Sequence, residues 1–348
     1  MAGRPVAPVQ ILPPNAVLAP AALAQQKLGP FELRLMLDDD IRPQIAWLAA
    51  RGLLKNSFDC PRCAIPCSLV AQQDTQDGWR WKCRRCHQRH GVREGSFFKS
   101  KVPLGKLVWF LFSWATEIPL HHVTWQLTLS PRTAVDWGNF VRDICAEDVR
   151  LNPRQLGGFD NNGQPIVVEI DESYFFRRKF HRGRQVNGLW VFGAVERESG
   201  RCMLEVVPDR TAQTLQPLIQ QWCLPGTHIV SDGWAAYNNL SQLNGGVYLH
   251  DVVVHQENFV DPVHPEIHTQ NVENLWMRAK RKLRRQFGTT RQLFHTYLRE
   301  FVWQERHRGH EHRLAALLVC IRQQYPCWAE GGRKKKKKGS FQSQPYHS

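Results

Sequence analysis

Three carboxylates stand where chemistry on a phosphodiester could be done. Asp171 closes the apolar run Ile166-Val167-Val168-Glu169-Ile170, which reads as a buried strand. Asp232 closes a second run, His228-Ile229-Val230-Ser231, and is followed by Gly233. Glu273 lies in His268-Thr269-Gln270-Asn271-Val272-Glu273-Asn274-Leu275-Trp276, the opening of a basic helical stretch. Two carboxylates at strand ends and one on a helix can converge. Converging carboxylate oxygens bind hard divalent cations such as Mg²⁺ or Mn²⁺. A pair of such ions clamps the attacking and leaving oxygens of an in-line phosphoryl displacement. Taken singly, each acid has a commoner explanation as a turn residue, a helix cap or a solvent-facing helix position. Their joint placement on a basic chain favours the metal site.

The elements that must hold these acids follow from the pattern after Pro165. Ile166–Ile170, Leu189–Val195 and Cys202–Val207 read as strands, the last two joined by a turn at Glu198-Ser199-Gly200. Thr211 opens a helix through Leu215, Leu218, Ile219 and Trp222, which Pro225-Gly226 ends. Ile229-Val230 and Val252-Val253-Val254 are further strands, separated by a short helix from Trp234. Three antiparallel strands, helix, strand, helix, strand, helix is the order of an RNase H-like domain with a mixed five-stranded sheet, here over 160–308. In the last helix Val272, Leu275, Ala279 and Leu283 form one apolar stripe. Glu273 and Lys280 lie beside it on nearly the same bearing, seven residues apart. Arg278, Arg281, Lys282, Arg284 and Arg285 complete a basic row on that helix.

Two modules precede this domain. Cys60-Pro61-Arg62-Cys63 and Cys83-Arg84-Arg85-Cys86 are paired CxxC knuckles with a strand, Gly78–Lys82, entering the second. That spacing predicts a zinc ribbon with a tetrahedral Zn²⁺ on Cys60, Cys63, Cys83 and Cys86. Cys67, His87 and His90 are close enough to replace one ligand. Four thiolates leave no open coordination position, so the zinc is structural. Arg62, Arg80, Lys82, Arg84, Arg85, Arg89 and Arg93 surround the knuckles, either as a solvated rim or as a phosphate-contacting face. The ribbon and a preceding helix (Ile45, Leu48 and Ala49 inward, Gly52 at its end) occupy 31–99. Over 100–150 the sequence predicts a helix from Leu104, a short helical piece at Leu120–Leu127, and a third helix capped by Ser130 with Pro131 in its first turn. This is a helix-turn-helix-like pattern. It would put Arg132, Thr133, Asp136 and Trp137 where bases are reached; a plain helical subdomain is the alternative.

The 348 residues carry 46 lysines and arginines against 31 acids, a formal charge of +15. The Lys334–Lys338 run supplies only five of these charges, so the surplus belongs to the body of the chain too. Such a surplus favours a polyanionic partner, nucleic acid first. The most apolar stretch, Leu107–Ala115, is about half the length of a membrane-spanning helix, and nothing points to a membrane or secretory protein. Ten cysteines, five of them between Cys60 and Cys86, do not resemble a small disulfide scaffold. The Pro- and Ala-rich segment 1–30 reads as a disordered tail. The segment 309–348 reads as a helix followed by a lysine-rich tail, suggestive of a nuclear localisation signal in a eukaryotic host or of loose contact with DNA.

From about Leu37 to Arg308 the chain resembles Merlin-type DDE transposases and their bacterial ISXO2-like relatives. The motifs are RWKCRRC, GSFF, VEIDESYF, VSDGWAAY, HTQNVENLWMRAKRKLR and YLREFVWQERH. The resemblance implies that Asp171, Asp232 and Glu273 are a catalytic triad using Mg²⁺, and that the protein cuts and joins DNA at terminal inverted repeats. It implies contacts to DNA from Lys179, Arg182 and Arg184 after the first motif, and from Lys280 and Arg284 in the third. His268 and Asn271 would position DNA or the third acid. Synapsis of paired ends implies a homodimer or larger assembly. A host-adopted descendant that binds DNA without cutting it is the alternative.

Overall fold

The computed structural model describes residues 10–176, 188–253, 268–284 and 290–327. The chain forms two compact units, one of residues 1–24, 32–108 and 321–348, the other of residues 25–31 and 109–320.

In the first unit α1 (Pro20–Ala24) and α2 (Ile41–Ala50) precede a three-stranded antiparallel sheet of β1 (Cys67–Ala71), β2 (Trp79–Cys83) and β3 (Arg89–Gly91). The Asp40 side chain accepts the backbone N–H of Arg42 and caps α2. Gly52, at φ +69°, follows the end of that helix. The disordered tail expected over 1–30 does not hold from Gln10 onward. The Leu12 backbone exchanges hydrogen bonds with the Asn56 amide (2.8 and 2.9 Å), and Arg322 donates to the Leu18 carbonyl at 2.6 Å. Leu23 is fully buried. A few leucines anchor the segment although its bulk composition is that of a linker.

The next helices are α3 (Leu104–Ala115), α4 (Leu120–Leu127) and α5 (Pro131–Leu151). Thr128, left-handed at φ 52°, ends α4, and Ser130 Oγ accepts the Thr133 N–H at 3.1 Å to start α5. The sheet domain contains β4 (Leu156–Gly157), β5 (Val167–Phe175), β6 (Leu189–Glu196), β7 (Cys202–Val207), α6 (Ala212–Trp222), β8 (Cys223–Leu224), β9 (His228–Asp232), β10 (Leu249–Val253), α7 (Gln270–Arg284), α8 (Phe294–Arg306) and α9 (His310–Gln324). Its five-stranded sheet has the order β10-β9-β5-β6-β7. β5, β6 and β7 are antiparallel neighbours, and β9 and β10 add in parallel to β5. This mixed sheet with helices on its faces is the RNase H-like fold.

Alternation along β5 decides which layer each residue meets. Val168 and Ile170 join a core with Phe192, Met203, Leu215, Ile219, Ile229 and Tyr237 on the α6 side. Glu169, Asp171, Ser173 and Phe175 face α7. α5 packs against α8: Arg142 lies over the Tyr297 ring and bonds Thr296 Oγ1 at 3.0 Å. Trp137, expected near bases, is instead buried, because it belongs to the apolar stripe by which α5 packs. Among the described residues no helix is long and apolar enough to cross a membrane.

Candidate active site and zinc centre

β5 and β9 run parallel, so their carboxyl ends lie on the same edge of the sheet. Asp171 is the central residue of β5 and Asp232 ends β9; each lies two residues beyond the paired Glu169 and Val230. Asp171 is paired in register with Gly193 of β6. A Cβ on Gly193 would come within 2.6 Å of the Trp276 ring, so the glycine makes room for that indole. Trp276 Nε1 in turn donates to Asp171 Oδ2 at 2.9 Å. Burial pushes the Asp171 carboxyl up to about 6. The indole and the Glu172 backbone N–H oppose that rise; the charges of Asp232 and Glu273 add to it. Asp232 and Glu273 are therefore each within electrostatic reach of Asp171. They do not form a closed cage. Among the described residues only the four ribbon cysteines bring ligand atoms of three or more such side chains within 4.8 Å of each other. An open set of oxygen donors, with one carboxyl destabilised by like charges, fits hard divalent cations, which would neutralise that repulsion.

Glu273 sits in the first turn of α7, and that turn is fastened to β5 by a residue that sequence reading passed over. The buried Glu169 carboxylate accepts the backbone N–H groups of Asn271 (2.8 Å) and Val272 (3.0 Å), the Asn271 side-chain amide (2.8 Å) and Arg197 Nε (3.0 Å). His268 Nδ1 is 3.4 Å away, and Arg197 also reaches the His268 carbonyl at 3.0 Å. A carboxylate from the neighbouring strand thus satisfies the otherwise orphaned donors of the helix start. Glu169 lies two residues from Asp171 on the same strand face, and its partners adjoin Glu273. This hub couples the two acids. His268 and Asn271 serve the hub, which accords with a role in positioning the third acid. The period-2 relation of Glu169 to Asp171 was the available signal.

The basic row on α7 is divided. Arg278 pairs with Glu305 and Lys282 with Glu300 (2.9 Å), both on α8, so these cations tie helices together. Lys280 donates to Ser173 Oγ at 2.5 Å and lies over the Phe175 ring; desolvation lowers its pKa, while nearby Asp171 raises it. Arg281 and Arg284 are exposed. Lys179, Arg182 and Arg184 lie outside the described residues, as does Arg285. On α5, Arg132 is exposed, whereas the Thr133 hydroxyl is engaged with Ser130 Oγ at 2.8 Å.

Glu172 adjoins Asp171 in sequence, and alternation along β5 puts it on the opposite face. It is buried, both carboxylate oxygens lack a hydrogen bond, and Arg210 approaches to 3.8 Å. Burial, then the charges of Asp171 and Asp232, push its carboxyl up to about 8.

The ribbon is a separate centre. Cys60, Cys63, Cys83 and Cys86 hold their sulfurs within 4.8 Å of one another, so the two knuckles together could hold one metal ion. Both knuckles are built alike. Ala64 N–H returns to the Cys60 carbonyl at 2.8 Å and His87 N–H to the Cys83 carbonyl at 3.1 Å, each with a left-handed residue after the second cysteine. The Cys86 backbone N–H points at Cys83 Sγ (3.4 Å) and is the chief cause of its thiol falling to about 6. The neighbouring Cys63 thiol is pushed up to about 12, first by its hydrogen bond with Cys86, so the clustered sulfurs share protons that a bound zinc would displace. Cys67 lies on β1 outside the quartet, and His90 pairs with Glu94 at 3.3 Å. Of the surrounding cations, Arg93 is buried, gripping Asp77 and the carbonyls of Ser100 and Val102, and is structural. Arg62 and Arg85 border a concavity beside Cys63 and Cys86.

The fold is that of an RNase H-like domain, with Asp171 and Asp232 on neighbouring parallel strands. Residues 162–306 match the family described as the ISXO2-like transposase domain. Among solved structures, the chain is similar to the catalytic core domain of BIV integrase, with 18% identity and a TM-score of 0.27 over 40% of this chain and 80% of that one. It is also similar to a chain of the simian T-cell lymphotropic virus intasome in complex with PP2A regulatory subunit B56 gamma, with 15% identity and a TM-score of 0.28 over 56% and 67%. No curated protein matches.

Proposed function

We propose that this chain is a DDE transposase that cuts DNA at terminal inverted repeats and joins the freed end to a target. The observation that carries this is the site itself: within the segment that matches the ISXO2-like domain, Asp171 and Asp232 stand on neighbouring parallel strands, and Glu169 fastens to β5 the α7 turn that bears Glu273. Asp171, Asp232 and Glu273 would hold divalent Mg²⁺ or Mn²⁺. Such ions supply Lewis-acid polarisation of the phosphoryl group and a water or 3′-hydroxyl nucleophile at neutral pH.

The chain's own residues do the positioning on which phosphoryl transfer depends. Trp276 fixes the Asp171 carboxylate through Oδ2. The Glu169 hub fixes the turn that carries Glu273. Lys280, which donates to Ser173, would meet a DNA phosphate, and the exposed Arg281 and Arg284 would extend that basic face. The zinc ribbon and the α4–α5 pair would bind end DNA, with Arg132 at the start of α5 as the contact to bases. Two chains would act together on paired ends. The lysine tract at 334–338, outside the described residues, would direct the protein to a nucleus.

The test is incubation of the full chain with inverted-repeat DNA and Mg²⁺, scored for nicked and joined products. Asp171→Asn and Asp232→Asn should each abolish both products while leaving DNA binding intact. Cleavage by either variant at the wild-type rate refutes the site.

A further inference from the structure

Beside Asp232, on the α6 face of the sheet, four side chains are stacked in a row that the catalytic reading does not use. Tyr174 and Trp190, cross-strand partners on β5 and β6, have ring centroids 4.9 Å apart. The Arg210 guanidinium lies over Trp190 at 4.3 Å and under Trp234 at 4.0 Å. Trp234 is secured at both ends: its indole N–H donates to the Arg210 carbonyl (2.9 Å), and its backbone N–H donates to Asp232 Oδ1 (3.1 Å). Beneath Arg210 lies the buried Glu172 carboxylate at 3.8 Å.

The two aromatic ends of this ladder remain open. Tyr174 is 37% and Trp234 is 38% exposed, although each is held by a neighbour on one side. Trp234 thus keeps one face free at the end of the β9 strand, next to Asp232, where a flat partner can cover it. The partner must offer a flat apolar face and tolerate, or favour, a cation in the stack. It must also reach a carboxylate bound to the same loop. An unpaired nucleobase meets all three conditions. Every base has a π-face that stacks on tryptophan, and its backbone carries the phosphates that the basic chain attracts. A base inside a duplex is covered by its neighbours, so only an unstacked one can use this surface.

We propose that Trp234, backed by Arg210 and Trp190 on the sheet face opposite Asp171 and tied to Asp232 at the strand end, is a stacking platform for an unpaired nucleobase adjoining the phosphodiester presented to Asp171 and Asp232. This inference rests on the proposed function for its choice of DNA. It adds that the strand is unpaired next to the reacting phosphate and that the platform grips it there.

The experiment uses the full-length protein without divalent metal, so that no strand is cut. A short single-stranded oligodeoxynucleotide carries one 2-aminopurine, and a matched series carries an abasic site at the same position. Wild-type protein should quench the 2-aminopurine on binding, and the abasic substitution should weaken binding about tenfold, the range expected for one base–aromatic stack. Trp234→Leu should lose the quenching and about the same affinity, and Trp234→Phe should restore most of both. Equal binding of intact and abasic strands by wild-type protein overturns the platform, and that comparison needs no variant to fold. Undiminished quenching in a folded Trp234→Leu protein overturns it as well. The outcome is independent of the cleavage assay: quenching that depends on Trp234 in a protein that never cuts supports the platform while refuting the transposase reading.

Discussion

Replacing Glu169 tests the coupling of the acids most directly. Its side chain is completely inaccessible to solvent and is the common acceptor for two backbone N–H groups, an amide and a guanidinium. Glu169→Ala removes the acceptor and leaves those donors behind. Breaking a buried ion pair by deleting one partner costs about 3–5 kcal/mol, because the remaining charge stays buried. Arg197 is partly exposed, at 20% of its side chain, and can recover some hydration, which favours the lower end. The orphaned N–H groups at the start of α7 act in the opposite direction, since a lost cap costs about 0.5–2 kcal/mol. A net destabilisation of about 4 kcal/mol follows, or roughly 8–16 °C in melting temperature for a unit of this size. Urea denaturation of wild type and variant, followed by tryptophan fluorescence, measures it. Glu169→Gln keeps the volume and one acceptor oxygen, and should fall between the two. Isothermal titration with Mn²⁺ should also show weaker metal binding in any variant that still folds, since the turn bearing Glu273 is no longer fixed. A loss below about 1 kcal/mol for Glu169→Ala would falsify the idea that this carboxylate fastens α7 to the sheet.

Gly193→Ala should drive Trp276 off Asp171, because the added Cβ would sit 2.6 Å from the ring; overpacking of this kind costs about 1–3 kcal/mol. Unchanged stability together with an unchanged Trp276 environment would contradict the packing. His307 is held neutral in the fold, its pKa lowered to about 4 by burial. Below the unfolded value of about 6.5 the unfolded chain gains a proton that the folded one refuses, so stability should fall as pH drops from about 6.5 toward 4. The loss should be about 1–2 kcal/mol after allowance for partial solvent access, and His307→Phe should flatten that part of the profile; a parallel profile in the variant contradicts it. Removing zinc with a chelator should unfold the ribbon around Cys60–Cys86, because the quartet is its central fastening. Circular dichroism and proteolysis report this directly, and protection that survives chelation rules the structural role out.

Local patterns in the chain determined a great deal. Short apolar runs marked the strands of the sheet, the 3.6-residue period marked α7, and Ser130-Pro131 marked the start of α5, because each of these is set by steric and hydrogen-bonding preferences within a few residues. Paired CxxC knuckles were likewise legible, since a knuckle is a local turn. Only the tertiary structure decided which polar side chains are spoken for. Arg93, Arg278 and Lys282 look like candidates for DNA in the sequence, but each is paired with an acid sixteen or more residues away. Trp137 and the segment after Gln10 look solvent-facing by position or composition and are packed. Glu169, Glu172 and Arg210 gained their roles from strands and loops brought together by parallel pairing of β5 with β9. The reason is range: secondary structure answers to neighbours along the chain, whereas the company a charge keeps is settled when distant segments close over it and exclude water.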